Sequence, residues 1–473
     1  MKKIFPVIRI SGICFNFELQ KIDFFSYVYY PVDRRGAGHR FFYLYKLLTM
    51  KLLYTTIGLA LFSTLNAQNF DYAVSLQEVV FSGDDMYEIR QDDNTGFIDT
   101  DFHWKADGSV NPTAFPSGTT ISAAATIQFE CEQMPTSIYI RGTGPDDMTF
   151  PSLAVASVGD IFTYPETPAT APFEPETIRF YEHFSINWEF SFDNVKWYTI
   201  GESMSPVYVT LQVAKPEGGF SGFKYYLTVF DVACRNADGV TTTDEMINKV
   251  WEEFTDHTVY RADGVPMGYY KELFSPNVTL GTLIKYADGE CYTWAQLFLA
   301  ALKMHGFSQP NNYMNITADY SSTGCGSISR FLVKDWTFGT PSYDCFDMPY
   351  VNVYNPDYYD ADTAYIYDYA EVTDEIGVMG QTAPNPASSF SNHQIAIVNG
   401  KYYDASYGVL FNTFSEIKYG ALSGWSRSET SDEVGIGIDV NGDGDLDASP
   451  DFTILRATDD IEAADFDQSI ETW

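Results

Sequence analysis

The chain has 473 residues, 64 acidic and 28 basic, with a formal net charge of −36. That length predicts roughly two or three domains with ample core, and an apolar fraction of 45% with 16% aromatics excludes a disordered chain in spite of the charge. The acidity argues against nucleic acid or an anionic membrane surface as partner, since both would repel the protein; it suits an exported protein or one that holds cations.

Residues 1–67 stand apart. They carry 9 Lys/Arg and 3 Asp/Glu, a net of +6, so the remaining 406 residues carry −42. From Met50 the chain reads MKLLYTTIGLALFSTLNAQ. Lys51, the apolar run Leu52 to Leu65 and the small residue Ala67 follow the order of a secretory signal peptide, and the run is shorter than the ~20 residues of a membrane span. The expected organisation is therefore an upstream extension over 1–49, a signal peptide over 50–67 with Met50 as the start, and an exported mature chain with no membrane span. Discarding Cys14 leaves five cysteines, which fits two disulfides and one free thiol in an exported protein; Cys131 with Cys234 and Cys325 with Cys345 are the expected pairs.

Residues 68–235 predict an antiparallel β-sandwich. ATIQFECEQ, TSIYIRG, FSINWEFSF, WYTIG and VYVTLQVA are short alternating runs rich in β-branched and aromatic residues, separated by turn residues. Nothing in them carries evident chemistry. At about 236 the period changes. TTTDEMINKVWEEF opens on a threonine cap and early acids, with Met246, Ile247, Val250, Trp251 and Phe254 at helical spacing. A second helix begins near Cys291, with Trp294, Leu297, Phe298, Ala301 and Leu302 on one stripe and Gly306 as its C-terminal stop. From 311 to 392 runs a long Tyr- and Asp-rich connection with short strands such as FLVKDW. Then come two strands, HQIAIV and KYYDAS, joined by Asn399-Gly400.

Chemistry gathers in this second half. Cys291 falls in the first turn of its helix, where unpaired N–H groups and the positive dipole end favour thiolate over thiol. Asp288 and Gly289 just upstream offer a cap and a tight approach. A cysteine on the stripe of Trp294 and Phe298 also reads as plain core packing. The hairpin bears on the choice. Asn-Gly between alternating runs predicts a two-residue turn, which pairs Val398 with Lys401, Ile395 with Asp404 and His393 with Ser406. His393 and Asp404 then share a face as diagonal neighbours, roughly 7–8 Å apart at Cβ, and a one-residue slip would separate them. Cysteine, histidine and an orienting carboxylate are the parts of a thiol nucleophile triad. Among the other histidines, His305 lies about 21 Å along the helix from Cys291 at 1.5 Å per residue and reads as a helix-end group meeting the last carbonyls, His103 and His183 belong to the β-rich part, and His257 is the one rival.

GECYTWAQLFLAALKMHGF resembles the nucleophile segment of the transglutaminase-like superfamily, and SNHQIAIVNGKYYDASYG resembles its histidine and aspartate strands. The resemblance covers roughly 236–425 and keeps the order Cys, His, Asp. It implies an α+β fold with a papain-like core, in which a helix carrying the cysteine packs on an antiparallel sheet carrying the other two. It implies Cys291 as nucleophile, His393 as general base and acid, and Asp404 as the residue orienting the imidazole, acting on a protein or peptide amide through a thioester. In many members the histidine strand continues with alanine and tryptophan; here it continues with Gln394 and Ile395. GQTAPNPASSFSNH resembles the secreted bacterial members, among which hydrolysis is commoner than crosslinking. Trp294 and Gln381 are candidates to line the substrate cleft. The alternative is a catalytically silent module of the same fold that binds protein or glycan at a surface.

Residues 426–473 read as an acidic tail with few apolar anchors. Within DVNGDGDLDASPD, Asp439, Asn441, Asp443, Asp445 and Asp447 take the ligand places of an EF-hand-type loop, with Gly444 at the turn. A weak or structural Ca²⁺ site is the expectation. Pro450 stands where the bidentate glutamate belongs, with Asp451 one place late. The triad itself calls for no cofactor.

Overall fold

The computed structural model of the chain describes residues 72–92, 102–215, 225–270, 279–318, 378–384 and 389–430, residue 386, and short strands at 98–99, 330–333, 343–344, 365–367, 453–458 and 466–471. Residues 1–67, where the extension and signal peptide are expected, the candidate calcium loop, Cys325 and Cys345 lie outside the described residues.

The protein is α+β and mostly strand. A nine-stranded sheet dominates the first half, beside a small sheet of Ile89–Arg90, Ile98–Asp99 and Tyr225–Tyr226; the strands of the large sheet are β1 Tyr72–Gly83, β2 His103–Lys105, β3 Thr113–Pro116, β4 Ile121–Cys131, β5 Ser137–Thr143, β6 Thr149–Val158, β7 Ile161–Pro168, β8 Arg179–Ser191 and β9 Tyr198–Thr210. Their spatial order is β2-β1-β4-β7-β6-β5-β8-β9-β3. Strict alternation along β4 buries Ile121, Ala123, Ala125, Ile127 and Phe129 on one face, as a sheet with a single core face requires.

This region departs from the expected sandwich. It is one continuous sheet that curls until its ends face each other. β6 pairs with β5 along most of its length and with β7 at its end, so the ladder never breaks into two sheets. Bulges at Leu76/Glu78, Ala123/Ala125 and Ile140/Gly142 bend the strands. The curl brings Tyr72 of β1 within 5.6 Å of Phe190, and Phe81 within 6.3 Å of Phe184, ring to ring. Trp188 fills the interior between Phe150 and Tyr164. Gly142 permits that packing, because a Cβ there would lie 2.9 Å from Ile186 and 3.3 Å from Trp188.

Four helices follow: α1 Leu227–Cys234, α2 Thr243–Thr255, α3 Leu280–Tyr286 and α4 Cys291–Met304. In α2 the Thr242 hydroxyl accepts from the Glu245 amide, Asp244 and Glu245 occupy the first turn, and the five residues at helical spacing are the buried ones. α4 goes beyond its expected stripe. Every residue except Tyr292 is buried, including Gln296 and Lys303, which makes it a central helix covered on all sides. Gly306, at φ 77°, ends it.

A second antiparallel sheet covers α4. Its strands are β10 Tyr313–Ala318, β11 Asn392–Val398, β12 Lys401–Asp404, β13 Val409–Phe411 and β14 Phe466–Glu471, in the order β13-β12-β11-β10-β14. Tyr313, Ala396, Val398 and Tyr403 join a buried cluster that runs without a break from the curled sheet through the helices. Met314, Ile316, Ile395 and Ile397 face the other way, into a small core with Ile417 of α5 (Phe414–Ala421) and Phe331. Arg330–Val333 lies in a further six-stranded sheet with Ser389–Phe390, Leu422–Thr430 and Thr453–Thr458. The presumed acidic tail thus returns to the body: Phe466–Glu471 pairs along β10, and Thr453–Thr458 along Leu422–Thr430. Backbone pairing on an open strand edge needs no apolar anchor, which is why composition pointed elsewhere.

His305 ties the two halves together. Its Nδ1 accepts from the Leu211 amide at 3.1 Å and its Nε2 donates to the Ala233 carbonyl at 2.9 Å. It meets the end of α1 rather than the last carbonyls of its own helix. Burial pushes its pKa down to about 4, only partly offset by the bond to Ala233. The expected Cys131–Cys234 disulfide is not formed. Cys131 sits at the end of β4, where its thiol faces the Gln133 carbonyl, and Cys234 is buried under β9, facing the Val209 carbonyl. Among the described residues no helix is long and apolar enough to cross a membrane.

Candidate active site

Cys291 is the first residue of α4, and Glu290 stands at the N-cap position without a side-chain capping bond. The thiol therefore sits at a helix start whose amides are not satisfied by a capping side chain. Gly289 lets the chain enter tightly: a Cβ there would fall 2.3 Å from Thr293 Oγ1 and 3.0 Å from Leu283. Asp288 and Gly289 pair in parallel with Gly268 and Tyr269, which fixes the approach from a second side. Asp288, a candidate cap, takes its place in this short ladder through its backbone.

Asn399 and Gly400 adopt φ of 50° and 77°, as a two-residue hairpin turn requires. Val398 pairs with Lys401, Ile397 with Tyr402 and Ala396 with Tyr403, the register expected from the Asn-Gly signal. That register brings His393 Nε2 to 2.7 Å from Asp404 Oδ2. Asp404 is held in turn by the Ser406 and Tyr407 amides, which donate to Oδ1 at 3.1 and 3.4 Å. An anchored carboxylate accepting at Nε2 puts the proton on that nitrogen and leaves Nδ1 to face the chemistry. The imidazole lies between the rings of Phe390, at 4.8 Å, and Tyr407, at 5.6 Å.

Electrostatics follow from this packing. Burial opposes charge on His393, but the charge and hydrogen bond of Asp404, together with Cys291, outweigh it and raise the pKa to about 10. Nδ1 itself meets no partner at ordinary hydrogen-bond geometry, and the thiol of Cys291 points instead to Gln394 Oε1 at 3.1 Å. Cys291 is thus near enough to act on the imidazole while its sulfur lies against Gln394 Oε1. Sγ must turn from Oε1 to Nδ1 before a thiolate can pair directly with the imidazolium, a common looseness in a site without substrate.

Four tyrosines lie near enough to Cys291 to feel its charge. Burial, reinforced by negative charge on Cys291, raises the pKa of Tyr269, Tyr270, Tyr313 and Tyr407. They remain protonated hydroxyls at neutral pH. Tyr313 is buried, and its OH has no hydrogen-bond partner among the described residues. These residues, like the Gln394 contact, escaped sequence reasoning. They come from three separate segments, Tyr269 and Tyr270 being neighbours, with no common spacing among them, and the only sequence signal was the unusual glutamine after the histidine.

The two cleft candidates fall elsewhere. Trp294 is fully buried, its Nε1 donating to the Gly268 carbonyl at 3.3 Å. Gln381 is fully buried as well, its Nε2 donating to the carbonyls of Phe254 at 2.7 Å and Ala405 at 3.0 Å. Neither offers surface to a substrate. Trp294 packs the core under the nucleophile, and Gln381 pins the residue that follows Asp404. His257, the rival base, spends Nε2 on the Tyr407 carbonyl at 2.8 Å and supports the same turn. Among the described residues no group of three or more His, Cys, Asp or Glu is placed to hold a metal ion; Asp439, Asn441, Asp443, Asp445 and Asp447 are outside them.

A thiol at a helix start, beside an imidazole oriented by a fixed carboxylate, can form a thiolate–imidazolium pair and attack an electrophilic carbon. Compared with known proteins, the chain matches no family model and no curated relative.

Proposed function

We propose that the chain is an exported cysteine-dependent acyl-transfer enzyme with a transglutaminase-like core, acting on amide bonds of protein or peptide. The observation that carries this reading is the buried 2.7 Å contact between His393 and Asp404, with Cys291 beside it on the first turn of α4. Cys291 attacks the carbonyl carbon, His393 gives its proton to the departing amine, and a thioester remains on sulfur. Water, deprotonated by His393, then releases the acid. An amine in its place would give a crosslink. We favour hydrolysis, on the resemblance to secreted bacterial members.

The raised pKa of His393 sets the pH dependence. The imidazolium persists through neutral pH and is lost as pH rises through about 10, so the proton-donating step fails on that alkaline limb.

The test is the pH dependence of alkylation in the purified protein, read cysteine by cysteine by peptide mass spectrometry. Cys291 is expected to react with iodoacetamide well below pH 7 and to lose that reactivity in His393→Ala. Cys234 is an internal control, since complete burial pushes its thiol pKa up. Cys291→Ala is expected to remove amide turnover and leave the melting transition in place. A slow Cys291 with an ordinary thiol profile, indifferent to His393, would make it a packing residue and end the proposal.

A further inference from the structure

The site holds a polar contact that the Cys-His-Asp arrangement leaves unused. Gln394 directly follows His393 on β11 and alternates to the α4 face of the sheet, with Ala396 and Val398. Its Oε1 touches Cys291 Sγ at 3.1 Å, and its Nε2 donates to Asn315 Oδ1 at 2.9 Å. Gln394 and Asn315 are opposite residues in the β11–β10 ladder, so both amides are carried by paired backbone rather than by a loop. The resemblance drawn from the sequence does not account for a glutamine at this place.

Ionisation of Cys291 reverses what this contact must do. While sulfur carries its proton, Oε1 accepts it. Once the proton has passed to His393, a carbonyl oxygen would face a thiolate, two acceptors with no hydrogen between them. The two ends of a carboxamide have nearly the same shape, so Gln394 and Asn315 can turn over together in the same space. Nε2 of Gln394 then faces sulfur, and Asn315 Nδ2 donates to Gln394 Oε1. One hydrogen bond joins the pair in either orientation, and only the group presented to Cys291 changes.

We infer that Gln394, turned over with Asn315, presents its Nε2–H to the oxyanion that forms when Cys291 adds to a carbonyl. The inference rests on the acyl-transfer reading above. Attack forms the Sγ–C bond and moves the carbonyl π pair onto oxygen, which lies one bond beyond the sulfur's new partner, in the space Gln394 reaches. Collapse re-forms the C=O bond and breaks the C–N bond, and the amine leaves with the proton held on His393. A donor already aimed at the developing charge stabilises the transition state without reorganisation at the moment of reaction. Gln394 is a catalytic residue in this account, since it touches the reacting atom. Asn315 is a positioning residue, because it sets which end of the amide faces sulfur.

The experiment separates oxyanion formation from thiolate formation in the full-length protein. Iodoacetamide alkylates sulfur at a saturated carbon and creates no oxyanion; p-nitrophenyl acetate acylates it through a tetrahedral oxyanion and releases p-nitrophenolate. Both rates at Cys291 are measured at one pH, and their ratio is compared between variants. Gln394→Met, close in shape but without the amide, is expected to lower the acylation-to-alkylation ratio on the order of 10²–10³-fold; both reactions start from the same thiolate, so whatever the lost amide does to the thiolate cancels in the ratio. Asn315→Asp can only accept, so it holds Nε2 away from sulfur and lowers the ratio too; a merely structural Asn315 would tolerate this near-isosteric change. A ratio unchanged in both variants, with alkylation in the parent fast and dependent on His393, overturns the inference and leaves the acyl-transfer reading standing. Slow alkylation in the parent, indifferent to His393, overturns both.

Discussion

The curled sheet and the helix–sheet half both hold residues in the left-handed region, yet they place different residue types there. In the curled sheet these are Asp85, Asp146, Asp147, Glu176 and Asn194, nearly all Asp or Asn, whose short polar side chains tolerate that region. In the other half Asn311 and Asn399 do the same, but His257, Tyr270, Ala287 and Thr382 stand there too, and these four pay for it. All four lie against the candidate site. Ala287 precedes the strand that leads to Cys291, Tyr270 bonds through its amide to the Gly289 carbonyl, and Thr382 and His257 are joined by a backbone hydrogen bond beside the Asp404 turn. One half is built for packing; in the other, separate segments are forced together to hold three side chains, and the backbone absorbs the misfit.

If that contrast is right, the same kind of substitution should have opposite consequences in the two halves. The largest effect is expected from Asp404→Asn. It keeps the shape of the His393 contact but removes the charge that holds the imidazolium, so amide turnover should fall on the order of 10³–10⁴-fold while the urea midpoint moves little. An unfolding midpoint that collapses along with activity would make Asp404 a structural residue.

Trp188→Ala in the curled sheet should do the reverse. Emptying the space between Phe150 and Tyr164 should cost about 3–5 kcal/mol of stability, with alkylation of Cys291 in the remaining folded protein unchanged. Altered thiol reactivity would show that the sheet acts on the site.

His305 reports on the junction. Unfolded, its ring takes up a proton near pH 6.5; folded, it resists until about 4. Between those values the unfolded chain binds more protons, so its contribution is complete above pH 6.5 and is lost as pH falls toward 4, by about 3 kcal/mol in all. Replacing it with Gln should flatten that part of the stability–pH curve, and an unchanged slope would remove His305 from the junction's acid response.

The smallest effect sharpens the comparison most directly. Thr382→Gly, which keeps the amide bond to His257, should relieve about 1 kcal/mol of backbone strain, whereas Asp85→Gly in the sheet should be near neutral. Equal shifts in thermal midpoint would mean that the two kinds of left-handed residue are not different in cost.

What could be read from the residues alone was local. Thr242 with Glu245 and the 3.6-residue spacing of Met246 to Phe254 specified α2, including its buried face. Asn399-Gly400 specified a hairpin register, and with it the approach of His393 to Asp404, because a two-residue turn leaves no freedom to slip. Gly289 and the run after it placed Cys291 at a helix start. Each of these depends on neighbours a few residues apart, where chain geometry leaves one answer. Tertiary structure decided the rest. The alternation in β4 to β9 says which faces are buried but not whether the ladder closes into two sheets or curls as one, since both bury the same faces. The composition of the last segment says nothing of Phe466–Glu471 pairing with β10, a choice made by an open edge. The burial of Trp294 and Gln381, the tyrosines near Cys291, and the contact of Gln394 with Cys291 across 103 residues of chain arise only when distant segments pack. Local periodicity carries no record of which distant surface a side chain will meet.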